Sequence, residues 1–263
     1  MTAVGGDRLR TKRRSLKNES AIHFLYILPF LILLAIFAYL PLYGWIYAFF
    51  DYKPPIPLSR SPFVGFKWFA SLVETQVKID QLIQVIKNTF GISGLMLMFS
   101  WLPMIFAIFL NEIRAVRFRK AVQTLTTLPN FISWVLVYSI AFAMFSSEGM
   151  VNGLLRQLGA IDSPILFLQD SSHVWLTMWM WITWKTLGWS AIMYIAAITS
   201  IDESLYEAAY VDGATRMQVI WHVTLPSLLP TYFVLLVLQV ANFLNNGLEQ
   251  YFVFQNAFNK EYI

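Results

Sequence analysis

Residues 22–50 read IHFLYILPFLILLAIFAYLPLYGWIYAFF, 29 positions without one Asp, Glu, Lys or Arg. A helix needs roughly 20 apolar residues to cross the hydrocarbon core of a bilayer. In lipid the backbone must satisfy its own hydrogen bonds, so a run of this kind is confined to helix. Four more stretches meet the same test, and the five predicted spans are 22–50, 83–110, 125–145, 174–198 and 228–244. The class that follows is an all-α integral membrane protein. Composition agrees, at 57% hydrophobic and 13% charged, where soluble domains carry about 25% charged residues. Pro29, Pro41 and Pro103 fall inside or near the ends of spans, where membrane helices tolerate kinks. Pro129 and Pro230 sit near span starts, where a missing N–H costs little. The chain has no cysteine, which excludes disulfides and cysteine metal sites. The first run is too long for a removable signal peptide, and no small-residue cleavage site follows it.

Orientation follows from the basic residues of the short flanking segments. The tail, residues 1–20, carries Arg8, Arg10, Lys12, Arg13, Arg14 and Lys17, and the loop after the second span carries Arg114, Arg117, Arg119 and Lys120. Between 146 and 173 there is only Arg156, and the basic residues of 51–82 are spread among Asp51, Glu74 and Asp80. The expected arrangement is a basic cytoplasmic tail, then a transmembrane domain over 21–263, with 200–227 also cytoplasmic and 51–82 and 146–173 outside. Positive-inside charge accounts for the tail without nucleic-acid binding.

The polar stretch EAAYVDGATRMQVIWHVTLPSLLP, from Glu207 to Pro230, is the exception among the apolar runs. Ser200 and Glu203 fit a capping box, as do Thr215 and Gln218. A first helix is predicted from about Ile201 to Asp212, stopped by Gly213, which enters the left-handed conformation without strain. A second is predicted to open at Thr215 and end at Pro226, with Met217, Ile220, Trp221 and Leu225 as its apolar stripe. Helices this short are marginal alone in water, so the pair must dock on its own spans or on a cytoplasmic partner.

Here the residues carry a resemblance. Glu207-Ala208-Ala209, Asp212-Gly213-Ala214, Leu225-Pro226 and Pro230 stand at the spacing of the EAA loop of ABC importer permeases. Asn88-Thr89, Asn111-Glu112-Ile113-Arg114 and Leu128-Pro129 agree with it. The segment QTLTTLPNFISW, from Gln123 to Trp134, and GMVNGLL, from Gly149 to Leu155, are similar to the branch that imports oligosaccharides and polysaccharide fragments. Over about residues 20–260 the chain resembles a binding-protein-dependent permease with a MetI-like type I transmembrane domain. The resemblance implies that Glu207, Ala208, Ala209, Asp212, Gly213, Ala214, Leu225 and Pro226 form a coupling element seated in a cytoplasmic ATPase subunit. It implies a second, homologous permease as partner, two ATPase subunits, and an extracytoplasmic solute-binding protein received by the outer loops. It also implies location in a bacterial inner membrane, in contact with lipid. A sixth span is expected in the family, and the chain ends at Ile263 shortly beyond the fifth, so the sixth is expected to be missing from it.

The chain contains no G-x-x-x-x-G-K-[ST] sequence. It is expected to be non-catalytic and to hold no cofactor, with ATP and Mg bound by the ATPase partner. His23, His173 and His222 are too scattered to suggest a metal site. A membrane enzyme acting on lipid-linked glycans would need carboxylates that cluster at an interface, and these do not. An ion-coupled carrier would transport without any ATPase.

For the substrate path the candidates are Trp179, Trp184, Lys185, Gln239, Asn242 and Asn246. Aromatic faces stack on the apolar C–H patches of sugar rings. Trp179 and Trp184 can equally pack between helices, and Trp175 at the outer edge reads as an interfacial anchor. A charge near mid-span costs roughly 2.5–3.5 kcal/mol on insertion scales, so Lys185 should face a wet cavity or a partner. The expectation is that it lines the path and attracts an acidic, uronate-bearing substrate, the alternative being structural pairing with a helix C-terminus or a companion subunit. Gln239, Asn242 and Asn246 share one helix face, where amides bond sugar hydroxyls or join helices. Outside, Pro54-Pro55-Ile56-Pro57 reads as stiff and extended, and 65–69 as an amphipathic piece at the membrane surface.

Overall fold

The computed structural model describes residues 22–169, 173–245 and 247–255, and the basic tail of 1–20 lies outside them. The chain divides into two compact units, 1–80 and 81–263. Among the described residues there is no named strand, only an isolated antiparallel bridge between Phe50 and Phe63.

The first unit is a long helix, α1 (Ile22–Phe49), followed by an aromatic loop. Nearly every side chain of α1 is exposed, as a lipid-facing helix requires. Its middle widens into a π turn, Ala35–Tyr39, and Leu40 donates its N–H to Ala35. Pro41 comes next. A proline lacks the N–H for a helical bond and its ring crowds the carbonyl four residues back; a widened turn just before it relieves both. In the loop, Phe49 packs edge-on against Phe66 at 5.5 Å, and Trp68 Nε1 donates to the Phe50 carbonyl at 3.1 Å. The predicted amphipathic piece is helical over α2 (Lys67–Ala70), with Phe66 and Phe69 exposed. The expected extended Pro54–Pro57 stretch instead turns, with Ile56 N–H bonded to the Lys53 carbonyl at 3.0 Å.

In the second unit the predicted spans are recognisable but differently broken. Residues 83–110 fall on α3 (Gln76–Met98) and α4 (Leu102–Glu112), interrupted at 99–101 just before Pro103. Residues 125–145 are not one span. They comprise the end of α5 (Val116–Thr127), a 3₁₀ turn (Leu128–Phe131) and α6 (Trp134–Phe145). Pro129 stops α5, and the Ser133 hydroxyl accepts from Leu136 N–H to start α6 anew. Within α7 (Met150–Gln157), Asn152 is fully buried. Its amide joins the Ser146 and Ile165 carbonyls and accepts from Ile165 N–H, each at 2.9 Å. That is the structural work of the GMVNGLL motif.

The fourth predicted span is α8 (Val174–Thr199), 26 residues and roughly 39 Å long. Among the described residues four helical stretches are both long and apolar enough to cross a membrane: Ile22–Phe49, Gln76–Glu112, Trp134–Gln157 and Arg216–Ala241. α8 has the length but is more polar, and packing explains why. It lies against α4, α5 and α11 (Leu225–Ala241), so its polar groups meet protein instead of lipid. Its buried residues, Val174, Met178, Ile182, Lys185, Gly188, Ala191, Tyr194 and Ile198, follow helical spacing along one stripe. The first half of that stripe joins Ile92, Val137, Ala141 and Phe254 in one apolar cluster. The second half joins Met104, Ala107, Ile108 and Leu228 in another. Last, α12 (Leu248–Phe254) folds back on α8, its buried Gln250 donating to the Met178 carbonyl at 3.0 Å.

Candidate coupling element and transport cavity

Between α8 and α11 the chain forms α9 (Glu203–Val211), a bend, and α10 (Arg216–Val219). Ser200 does not cap α9 as the sequence suggested; it is already the C-cap of α8, its hydroxyl donating to the Ala197 carbonyl at 2.8 Å. Asp202 caps instead, accepting from Ser204 N–H at 3.0 Å. That backbone bond, with the Ser204 hydroxyl beside it, holds the Asp202 carboxyl below its ordinary pKa.

Gly213 sits at φ +77°. Its N–H bonds to Tyr210, and the Ala214 N–H reaches back to Ala209, at 3.1 and 2.9 Å. These two bonds constitute a Schellman ending. The Thr215–Gln218 capping box is present in both directions. The second helix does not end at Pro226. It widens into a π turn, Ile220–Thr224, and Leu225, which begins α11 just before Pro226, donates to Ile220. The arrangement repeats the one at Leu40-Pro41. The predicted apolar stripe divides: Ile220 and Leu225 pack on the second cluster, whereas Met217 and Trp221 are exposed.

Glu207, Ala208, Asp212 and Gly213 are exposed, and Ala209, Ala214 and Leu225 half-buried. Around them Leu205, Tyr210 and Val211 also face outward, Val211 at 87%. A small bent projection with a carboxylate, two alanines and a rim of uncovered apolar side chains is suited to a protein socket.

A cavity of about 410 Å³ opens beside α8. Trp179, Thr183, Thr186, Ser190 and Met193 line it from one face of α8, with Phe99 and Gln239 opposite. Phe99 and Trp179 rings lie 4.6 Å apart at 40°. Of the predicted path residues, Trp179 and Gln239 are in this wall. Trp184 is not; it is 42% exposed and packs edge-on against Trp181. Asn242 bonds its own helix at the Leu238 carbonyl, 2.8 Å away, outside the lining. Asn246 lies outside the described residues. Asn245 helps line a second cavity of about 380 Å³ with Asn88, Thr89 and Tyr251.

Lys185 is absent from both linings. It is 8% exposed, and its ammonium donates to the carbonyls of Pro129, Asn130 and Ile132 at 3.1, 2.9 and 2.7 Å. Of the two expectations for it, path lining and structural pairing, the geometry found is the second, at the end of the turn that follows α5. Thr183, Thr186 and Ser190 were missed, although their 3-and-4 spacing with Trp179 on one face was a readable signal.

Fold and site thus define a helical membrane subunit with an exposed, bent projection and a cavity open beside α8. Residues 104–260 match the family described as the binding-protein-dependent transport system inner membrane component. The chain belongs to that family. It is 36% identical over 248 residues to protein LplB of Bacillus subtilis, covering 94% of this chain and 76% of that one. It is 37% identical over 240 residues to the polygalacturonan/rhamnogalacturonan transport system permease YteP of the same organism, covering 90% and 73%. A crystal structure of a bacterial ABC transporter involved in import of the acidic polysaccharide alginate superposes with a TM-score of 0.78 at 36% identity, over 95% of this chain and 83% of that chain. A second, of an alginate transporter with its pentasaccharide-bound periplasmic protein, gives 0.79 at 35% identity, over 95% and 81%. The MetI-like permease fold is therefore established, and with it a transport role in an inner membrane.

Proposed function

We propose that this chain is one permease half of an ATP-driven importer, carrying oligosaccharides delivered by an extracytoplasmic binding protein. The observation that carries the reading is the continuity of α8. One of its faces lines a cavity of aromatic rings and hydroxyls, and its C-terminal end leads directly into the exposed 203–214 projection. A push on the projection has a rigid path to the cavity wall.

In this reading Glu207, Ala208, Ala209, Asp212, Gly213 and Ala214 seat in an ATPase subunit, and Leu225 and Pro226 anchor the base. Glu207 offers a carboxylate to a basic partner group, and the two alanines permit close approach. The chain is non-catalytic; ATP and Mg belong to two cytoplasmic ATPase subunits, and a homologous second permease completes the path. The N-terminus is cytoplasmic, by the basic tail. Alternating access comes from rocking of the two permease halves.

The substrate class is acidic, uronate-bearing oligosaccharides, supported by likeness to permeases named for galacturonan and alginate. A neutral oligosaccharide is the second reading, favoured by one observation: among the described residues, none that lines the cavity beside α8 is charged. The test is to purify the tagged chain with whatever assembles on it and measure ATP hydrolysis with each class of sugar and the binding protein. Stimulation by a uronate oligosaccharide supports the first reading and stimulation by neutral sugar alone the second. A chain that recruits no ATPase overturns both.

A further inference from the structure

Lys185 sits near the middle of α8, roughly 21 Å from Thr199 at the end that leads to α9. An ammonium has three N–H donors, and here each has a main-chain carbonyl: Pro129, Asn130 and Ile132. Those carbonyls belong to the break between α5 and α6, where the helix stops and restarts. Carbonyl ends of helices attract cations, and unwound carbonyls in lipid-buried protein need partners. The ring of Trp134, first residue of α6, lies 5.5 Å from the ammonium. Two more contacts flank it. At Gly188, α8 meets the backbone of Thr126 and Thr127 so closely that a Cβ would collide with them. At Trp189 the ring meets Phe131 edge-on at 5.6 Å.

Residues 185, 188 and 189 therefore grip both sides of the break, while the neighbouring face of α8, together with Trp189 itself, lines the cavity. No donor of Lys185 is left for a substrate. Resting on the transport reading, we propose that Lys185 is a positioning residue: it clamps the broken helix of 116–145 to α8, so that displacement of α9 moves the two as one body. Without the ammonium, three carbonyls lose their donors and the break can slide against α8. The projection would still follow the ATPase, and the cavity wall would follow it less.

The experiment uses the full complex with its companion permease, ATPase pair and binding protein in proteoliposomes. Its probes are a radiolabelled uronate trisaccharide and a neutral one. Two quantities are read: sugar imported per ATP hydrolysed, and the rate at which maleimide labels Asn130→Cys, a clean probe because the chain has no cysteine of its own. Lys185→Met should lower the import ratio and raise the labelling rate at least about fivefold, the scale of a modest coupling between sites, while Lys185→Arg stays within about twofold of wild type. If the methionine variant does not assemble, Lys185→Gln, which keeps donors without the charge, is measured against the same two expectations. An unchanged ratio and labelling rate in the neutral variants, or equal losses in the arginine and methionine variants, would overturn the clamp. Wild-type complex that imports neither sugar would overturn the transport reading instead, and the labelling rate would still decide whether Lys185 holds the break.

Discussion

The Tyr206 hydroxyl lies 3.2 Å from Thr224 Oγ1, joining α9 to the π turn at the base of α11 across the Gly213 bend. Thr224 is buried, so this contact fixes the angle at which the projection leaves the membrane domain. A hydrogen bond of this kind contributes about 1 kcal/mol net. Tyr206→Phe should therefore reduce binding-protein-stimulated ATP hydrolysis by up to about fivefold, and Tyr206→Ala, which also removes the ring, by more. Full stimulation in both variants would show that the angle does not matter.

At Gly213 the left-handed φ of +77° costs any residue with a Cβ roughly 1 kcal/mol or more, and proline cannot adopt it. Gly213→Pro should abolish stimulated hydrolysis while membrane insertion persists. Glu207→Lys should do the same by reversing the charge offered to the ATPase. Both are read by ATPase assay on purified complex, with insertion checked by membrane fractionation.

How much of this was readable in the sequence varies with how local the cause is. The Gly213 bend and the Thr215–Gln218 box depend on residues within a few positions of one another, and both appear as the pattern predicts. Ser200 misled because a serine at a helix junction can serve either helix, and α8 had already used it. Pro226 misled because a proline stops a helix only if the preceding turn stays α-helical, and the π turn at Ile220–Thr224 was invisible to pattern. Lys185 was read as facing either a wet cavity or a partner, a choice the residue alone does not make. Finding Pro129, Asn130 and Ile132 as that partner required knowing that a break more than fifty residues earlier would lie beside it. Trp184 and Trp179 are alike in composition and neighbourhood; only the packing of α8 tells the outer side from the cavity side.

Gly188 and Gly94 offer a paired test of helix packing. A side chain at Gly188 meets the Thr126 carbonyl, whereas a Cβ at Gly94 has nothing within 4 Å. Overpacking of this kind costs about 1–3 kcal/mol. Gly188→Val should lower the melting temperature of the detergent-purified chain by several degrees, and Gly94→Ala should leave it unchanged or slightly higher. Equal melting temperatures for the two variants would contradict the close contact of α5 with α8.

Trp179 and Trp184 separate the cavity from the helix exterior. Trp179→Ala removes a ring from the lining and should raise the sugar concentration needed for half-maximal import by about tenfold, in the range that one lost stacking contact can supply. Trp184→Ala should leave it within about twofold. A reversed order would place the path on the other face of α8.

In the proposed function, ATP hydrolysis elsewhere drives sugar through this chain by way of the 203–214 projection. The most direct measurement is uptake of a labelled uronate trisaccharide into proteoliposomes holding the complete complex, with and without ATP, for wild-type chain and Glu207→Lys. Uptake should require ATP in the wild type and fall to background in the variant although the complex remains assembled. Uptake that proceeds equally without ATP, or that the variant leaves intact, would contradict the proposed function.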